Sequence, residues 1–226
     1  MQLPIQHTEL LLEEIQTDGH SPLKFICDDS AIYYCKYLVS VDRKELNCLF
    51  YELVAQRILT HLQLPTPEVA LIKISDGTID NSKVSANNRL KINNICFGSK
   101  EVPFANEIQS IQAFGKSFLN SIQNIEDLIR IALFDLWIQN TDRGRDLGSG
   151  YNYNLLLKPN GKYGEIIAFD HAFAFGGVER LGMFNVKMNS YSNNLFQTPF
   201  YKAVCKHLGK RNTFKIVEDF IPLLSQ

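Results

Sequence analysis

The sequence predicts an α+β protein, with strands concentrated in its N-terminal part and helices in its C-terminal part. Three observations predict it. Residues 23–38 read as strand, polar turn, strand: Leu23–Cys27, then Asp28-Asp29-Ser30, then Ala31–Leu38. From Lys44 to Leu64 the apolar period becomes helical, with Leu46, Leu49, Leu53, Ile58, Leu59 and Leu62 at three- and four-residue steps. After Asn124, read as an N-cap, a second helical pattern places Ile125, Leu128, Ile129, Ala132, Leu133, Leu136 and Trp137 on a broad apolar face, with Trp137 expected in the core.

Taken in order, residues 3–16 carry Leu10, Leu11, Leu12 and Ile15, and Asp18-Gly19-His20-Ser21-Pro22 makes a turn. The strand pair follows, and its second strand sets Lys36 among apolar and aromatic neighbours. A lysine there can reach a phosphate beneath the preceding turn, where Gly19 and Ser21 let the backbone come close. The helix after it carries Glu52 between apolar residues, where a carboxylate can turn inward and pair with Lys36. Pro65 and Pro67 end that helix, residues 67–74 read as a strand, and 77–94 is polar with turn signals. Ile92–Gly98 reads as a strand leading to a hinge, which divides the chain into residues 1–98 and 99–226.

The densest chemistry lies in residues 132–175. The apolar helix delivers Asn140-Thr141-Asp142-Arg143, then Asn152 and Asn154 enter an apolar run, and Asp170 ends a second one. Phosphoryl transfer needs this combination: a carboxylate to orient the acceptor hydroxyl, hard oxygen ligands for Mg²⁺, and cations against developing charge. Asp142 fits the first role, Asp170 with Asn152 or Asn154 the second, and Arg143 can support the loop or hold a phosphate. Taken singly, each residue has a plain structural reading. Lys36 could be a solvated edge residue, Glu52 a solvated helix residue, and the Asn and Asp residues turn formers. Their order along the chain carries the kinase reading.

The segments NTDRGRDLGSGYNYNLLL and IIAFDHAFAF resemble the catalytic and metal-binding region of HipA-like kinases. DGHSP, AIYYCKYL and LFYELVAQRILTHLQLPTPEVALI precede them in the family's order, so the resemblance covers roughly residues 15–180. It implies a two-lobed, protein-kinase-like fold with a β-rich N-lobe and a reduced helical C-lobe. It further implies ATP and Mg²⁺ as cofactors, Lys36 on the ATP phosphates, Asp142 as the catalytic aspartate, and Asn152 and Asp170 on Mg²⁺. The acceptor would be a protein serine or threonine, and an antitoxin protein would be a partner. Two departures stand out. Asp142 and Asn152 lie further apart than in the family, with the glycine-rich RGRDLGSGY between them, and His171 rather than Phe-Gly follows Asp170. The competing readings are a nucleotide-binding pseudokinase, and a kinase-fold enzyme acting on a lipid or small molecule or transferring AMP.

Bulk composition bounds the rest. With 23 basic and 24 acidic residues there is no cationic surplus, so direct nucleic-acid binding is not expected. Five scattered cysteines without a CxxC pair predict reduced thiols rather than zinc or a disulfide framework. The N-terminus does not read as a signal peptide, and no apolar run reaches the length of about 18 residues that a membrane span needs. A cytoplasmic protein is the expectation. From Gly176 onward, Phe184, Val186, Tyr191, Leu195, Phe196, Phe200 and Tyr201 are expected to pack a small helical region closed by a helix over 214–224.

Overall fold

A computed structural model describes residues 3–17, 20–109, 114–176 and 194–225. The chain forms two compact units, Met1–Leu53 with Pro67–Val102 and Val54–Thr66 with Pro103–Gln226. The fold is α+β. All five cysteines are thiols, four of them buried. Among the described residues no helix is long and apolar enough to cross a membrane.

The first unit is a closed barrel of β1 (Ile5–Glu14), β2 (Leu23–Cys27), β3 (Ile32–Leu38), β4 (Val69–Lys73) and β5 (Ile95–Lys100), in the order β1-β2-β3-β5-β4. Strands β1 and β4 run parallel and the other pairs antiparallel. Closure leaves no edge strand to be protected. Side chains alternate between faces as the two-residue period of a strand requires, and Leu23, Phe25, Cys27, Tyr33 and Cys35 point into the core. At Gly98 a Cβ would lie 2.3 Å from Ile72 Cγ1, so glycine is what lets β5 close against β4. The pairing of β3 with β5 slips between Lys36 and Leu38, where Tyr37 takes a φ of 56°. This bulge re-aims the strand immediately after Lys36.

Helix α1 (Arg43–His61) begins in the first unit and ends in the second. The second unit adds α2 (Lys116–Asn120), α3 (Asp127–Trp137), α4 (Pro199–Leu208) and α5 (Lys210–Phe220), with a 3₁₀ turn over Ile221–Ser225. Its three-stranded sheet runs β10 (Tyr163–Ala168), β9 (Leu155–Asn160), β6 (Asn106–Glu107), and a small ribbon pairs β7 (Arg145–Asp146) with β8 (Tyr151–Asn152). Aromatic rings fill part of the core, with Phe114 stacked on Phe200 at 4.3 Å and Tyr153 edge-on to both. Phe184, Val186 and Tyr191 lie outside the described residues.

Two expectations about α3 need correction. Asn124 is not its N-cap. Its side chain instead bonds the backbone of β10, accepting from Ile166 N at 2.7 Å and donating to Ile166 O at 2.9 Å. A paired backbone donor and acceptor satisfies both ends of the amide at once, which a helix terminus does not. Trp137 is 45% exposed rather than in the core. At 3.6 residues per turn it falls on the side of α3 opposite Leu128, which is fully buried.

Candidate functional site

In the first unit, Lys36 Nζ meets Glu52 Oε1 at 2.8 Å, and both side chains are largely buried. The ammonium also lies 4.8 Å from the centre of the Tyr37 ring. Strand β3 and helix α1 therefore present a cation held in place by an inward carboxylate. His20 and Ser21 lie in the β1–β2 connection, and Gly19 lies outside the described residues. His20 Nε2 bonds Glu45 Oε1 at 2.9 Å, and its ring packs 4.9 Å from Tyr37. Glu45 is 3% exposed. The His20 hydrogen bond, helped by the Leu38 amide and Arg89, holds Glu45 below the usual carboxylate range against its burial.

In the second unit the site grows from the end of α3. Gln139 takes a φ of 53°, its N–H bonds Leu136 O, and Asn140 N–H bonds Asp135 O. This is a Schellman stop with glutamine where glycine is usual, and it turns the chain sharply off the helix. Asn140 then accepts from the Asp142 amide at 3.2 Å and donates to Asp135 at 3.1 Å. Asp142 is thus placed by the helix terminus and not by a loose loop.

Asp142 Oδ2 accepts from two amides, Asn152 Nδ2 at 2.7 Å and Asn154 Nδ2 at 2.9 Å. Arg145 Nη2 sits 3.2 Å from the other oxygen, Oδ1. The residues between Asp142 and Asn152 form the β7–β8 ribbon, with Arg145 opposite Asn152 and a tight turn closed by Leu147 N–H to Gly150 O. The long separation in sequence is therefore a hairpin whose two ends meet. Both asparagines touch Asp142, so the geometry does not prefer one.

Gly144 makes the ribbon's base. It has a φ of 90°, and a Cβ there would lie 2.3 Å from Asn194 C and 2.5 Å from Leu195 N, both backbone atoms. Gly144→Ala is therefore expected to cost at least about 2 kcal/mol, combining a backbone clash with a strained conformation. Chemical denaturation reads this directly, and a change under about 0.5 kcal/mol would mean that the 194–195 segment yields freely.

Arg143 is fully buried, and its guanidinium is spread over four partners. Nη1 meets Asp135 Oδ1 at 2.6 Å, Nε donates to Asn154 O at 3.3 Å, and Nη2 donates to Phe169 O and to His171 Nε2. Arginine has no acceptor, so His171 Nε2 accepts. Of the two roles the sequence offers Arg143, support of the loop matches this geometry. It ties α3 to the start of β9 and to the chain just before Asp170. Asp170 has a φ of 57°, a conformation that Asp adopts more readily than most residues. Burial and then the Asp170 carboxylate push Glu107, on β6, above the usual carboxylate range.

Sequence reasoning did not single out Asp135, Glu45 or Glu107. For Asp135 a signal exists: it is an acid in the apolar run ALFDLW, and a charged residue on a buried helix face signals a buried partner. Glu45 and Glu107 carry no comparable mark. A family model described as HipA-like kinase matches residues 13–211, a span that includes Lys36, Glu52, Asp142 and Asp170. The chain belongs to the HipA-like kinase family. No curated protein matches it significantly. In this HipA-like kinase the β7–β8 ribbon lies between Asp142 and Asn152.

Proposed function

We propose that this HipA-like kinase has a two-lobed kinase architecture and transfers the γ-phosphate of ATP, with Mg²⁺, to a serine or threonine hydroxyl of a protein. The observation that carries the reading is the convergence of Asn152 and Asn154 on the Asp142 carboxylate. Each amide gives its N–H to Oδ2, which turns its own oxygen away from the carboxylate. A neutral oxygen donor thus stands beside the group that would orient the acceptor hydroxyl. In this reading Lys36, clamped by Glu52, binds the nucleotide phosphates, Ser21 and Gly19 lie along them, and Arg143 positions the loop.

Among the described residues no group of three or more His, Cys, Asp or Glu side chains could hold a metal alone. The donor set nevertheless fits Mg²⁺. That ion keeps several waters and takes one or two carboxylates plus substrate phosphates. Asp170 and an asparagine oxygen are hard donors of that kind. When bound, the ion neutralises charge on the transferring phosphoryl group. Cytoplasmic location and an antitoxin partner remain part of this proposal, resting on the family.

The test is incubation of the purified protein with ATP and Mg²⁺ and candidate protein acceptors, followed by intact-mass and peptide mass spectrometry. Wild type should add phosphoryl groups to serine or threonine, and Asp142→Asn should lose about 10²–10⁴-fold in rate, the range for a positioned base. Addition of an AMP-sized group, or phosphate on a lipid or small molecule, would replace the acceptor assignment. One observation favours a second reading, a nucleotide-binding module without transfer: Arg145 occupies the Asp142 oxygen that the amides leave. Tight ATP binding with no transfer to any acceptor would decide for it.

A further inference from the structure

Residues 85–90, which connect β4 to β5, bind three parts of the first unit at once. Ser85 donates to both oxygens of Glu14 at the end of β1, its N–H at 2.6 Å and its hydroxyl at 2.9 Å. Asn88 Nδ2 donates to Glu14 Oε1 at 2.8 Å and to Ser21 O at 3.1 Å, and Asn88 Oδ1 accepts from Leu90 N–H. Arg89 reaches the start of α1, with Nη1 3.0 Å from Glu45 Oε1 and Nη2 3.0 Å from Asp42 Oδ2. Leu90 is buried in the barrel core and anchors the segment.

These contacts converge on one place. The oxygen of Glu45 that takes Arg89 also takes His20, next to Ser21 in the β1–β2 connection. Glu45 Oε2 accepts the Leu38 amide at 3.0 Å, at the bulge after Lys36. His20 packs on the Tyr37 ring over which the Lys36 ammonium lies. A short polar segment therefore sets both the connection before β2 and the neighbourhood of Lys36. Arg89 is about half exposed, so its pair with Asp42 adds little to overall stability. What it does is supply a permanent cation to the buried Glu45, leaving His20 to register the connection.

We propose that residues 85–90 are a strap that holds His20 and Ser21, just before β2, in position to set the nucleotide site beside Lys36, with Asn88 and Arg89 as positioning residues. The strap fixes where Ser21 and His20 stand relative to Lys36, and so governs nucleotide affinity without touching the transfer step. This inference rests on the kinase reading for its functional consequence, but its structural part is measurable without nucleotide.

The experiment compares wild type with Asn88→Ala, Arg89→Ala and Arg89→Lys in the full chain. Amide hydrogen exchange of residues 15–17, 20 and 21, measured without ligand, should quicken roughly tenfold in the two alanine variants, as expected for loss of a hydrogen bond to a charged or backbone acceptor. The Kd for ATP and the KM should rise by a similar factor with kcat unchanged, and Arg89→Lys should recover part of the loss. Exchange that does not change overturns the strap, whatever ATP does. Faster exchange with an unaltered ATP Kd overturns its role in nucleotide positioning. If wild type binds no ATP, the kinase reading fails, and exchange alone then judges the strap.

Discussion

Asp135→Ala is expected to destabilise the second unit by about 3–5 kcal/mol, the range for removing one partner of a buried ion pair. Arg143 is fully buried, and Asp135 supplies the carboxylate that meets its guanidinium. The other partners of that guanidinium, Phe169 O, Asn154 O and His171 Nε2, are neutral acceptors, so the mutation strands a charge away from water. A loss of that size is a large fraction of the roughly 5–15 kcal/mol that stabilises a typical domain. Because the same guanidinium reaches Asn154 and the residue before Asp170, the damage should spread to the arrangement around Asp142. Urea unfolding monitored by fluorescence measures it. The double variant Asp135→Ala, Arg143→Met should recover much of the loss, since it removes the stranded charge with the acid. A single-variant effect below about 1 kcal/mol would mean that the pair is hydrated, and the network would lose its proposed role.

Asp170→Asn is expected to abolish most of the stabilisation that ATP and Mg²⁺ confer. A ligand bound only by the folded state stabilises it by about 2.7 kcal/mol at one hundred times its dissociation constant. Asparagine is a better probe here than alanine. At a φ of 57°, alanine adds a backbone penalty of roughly 1–2 kcal/mol, whereas asparagine accepts that conformation and removes only the charge. Thermal unfolding with and without ATP plus Mg²⁺, on both proteins, is the measurement. Wild type should gain stability only with the metal present, and the variant should keep less than half of the gain. Equal gains would place nucleotide and metal away from Asp170.

Much of the fold is legible because its signals are local. The hairpin of β2 and β3, the long α1 and the apolar face of α3 all follow from periods of two or 3.6 residues. The residues of chemical interest were legible for another reason. Lys36, Glu52 and Asp170 are charged residues within or at the end of apolar runs, Asp142 follows an apolar helix, Asn152 and Asn154 enter an apolar run, and the order of these residues resembles that of a known family. The pairing of Lys36 with Glu52 is an instance, since an acid between apolar helix neighbours seeks a cation.

Other features had no local signature. Closure of the barrel depends on β1 meeting β4, which are some sixty residues apart, through parallel pairing of Ile5–His7 with Leu71–Lys73. The strap of residues 85–90 reads only as a polar stretch with turn signals, because its meaning lies in Glu14, Ser21 and Glu45. Trp137 and Asn124 depart from expectation because local spacing does not say which part of an apolar helix face meets the core, or which backbone group competes for an amide.

The sequence by itself determined the α+β class, the β2–β3 hairpin, the helical periods of α1 and α3, and the order in which Lys36, Glu52, Asp142, Asn152, Asn154 and Asp170 follow one another. Each of these depends on residue type and on spacing along the chain, which are local quantities. Only the tertiary structure decided that both asparagines reach one oxygen of Asp142, that Arg143 is spent on Asp135, and that a hairpin absorbs the added length between Asp142 and Asn152. These depend on which distant groups meet, and burial decides that by requiring every polar group taken from water to find a partner.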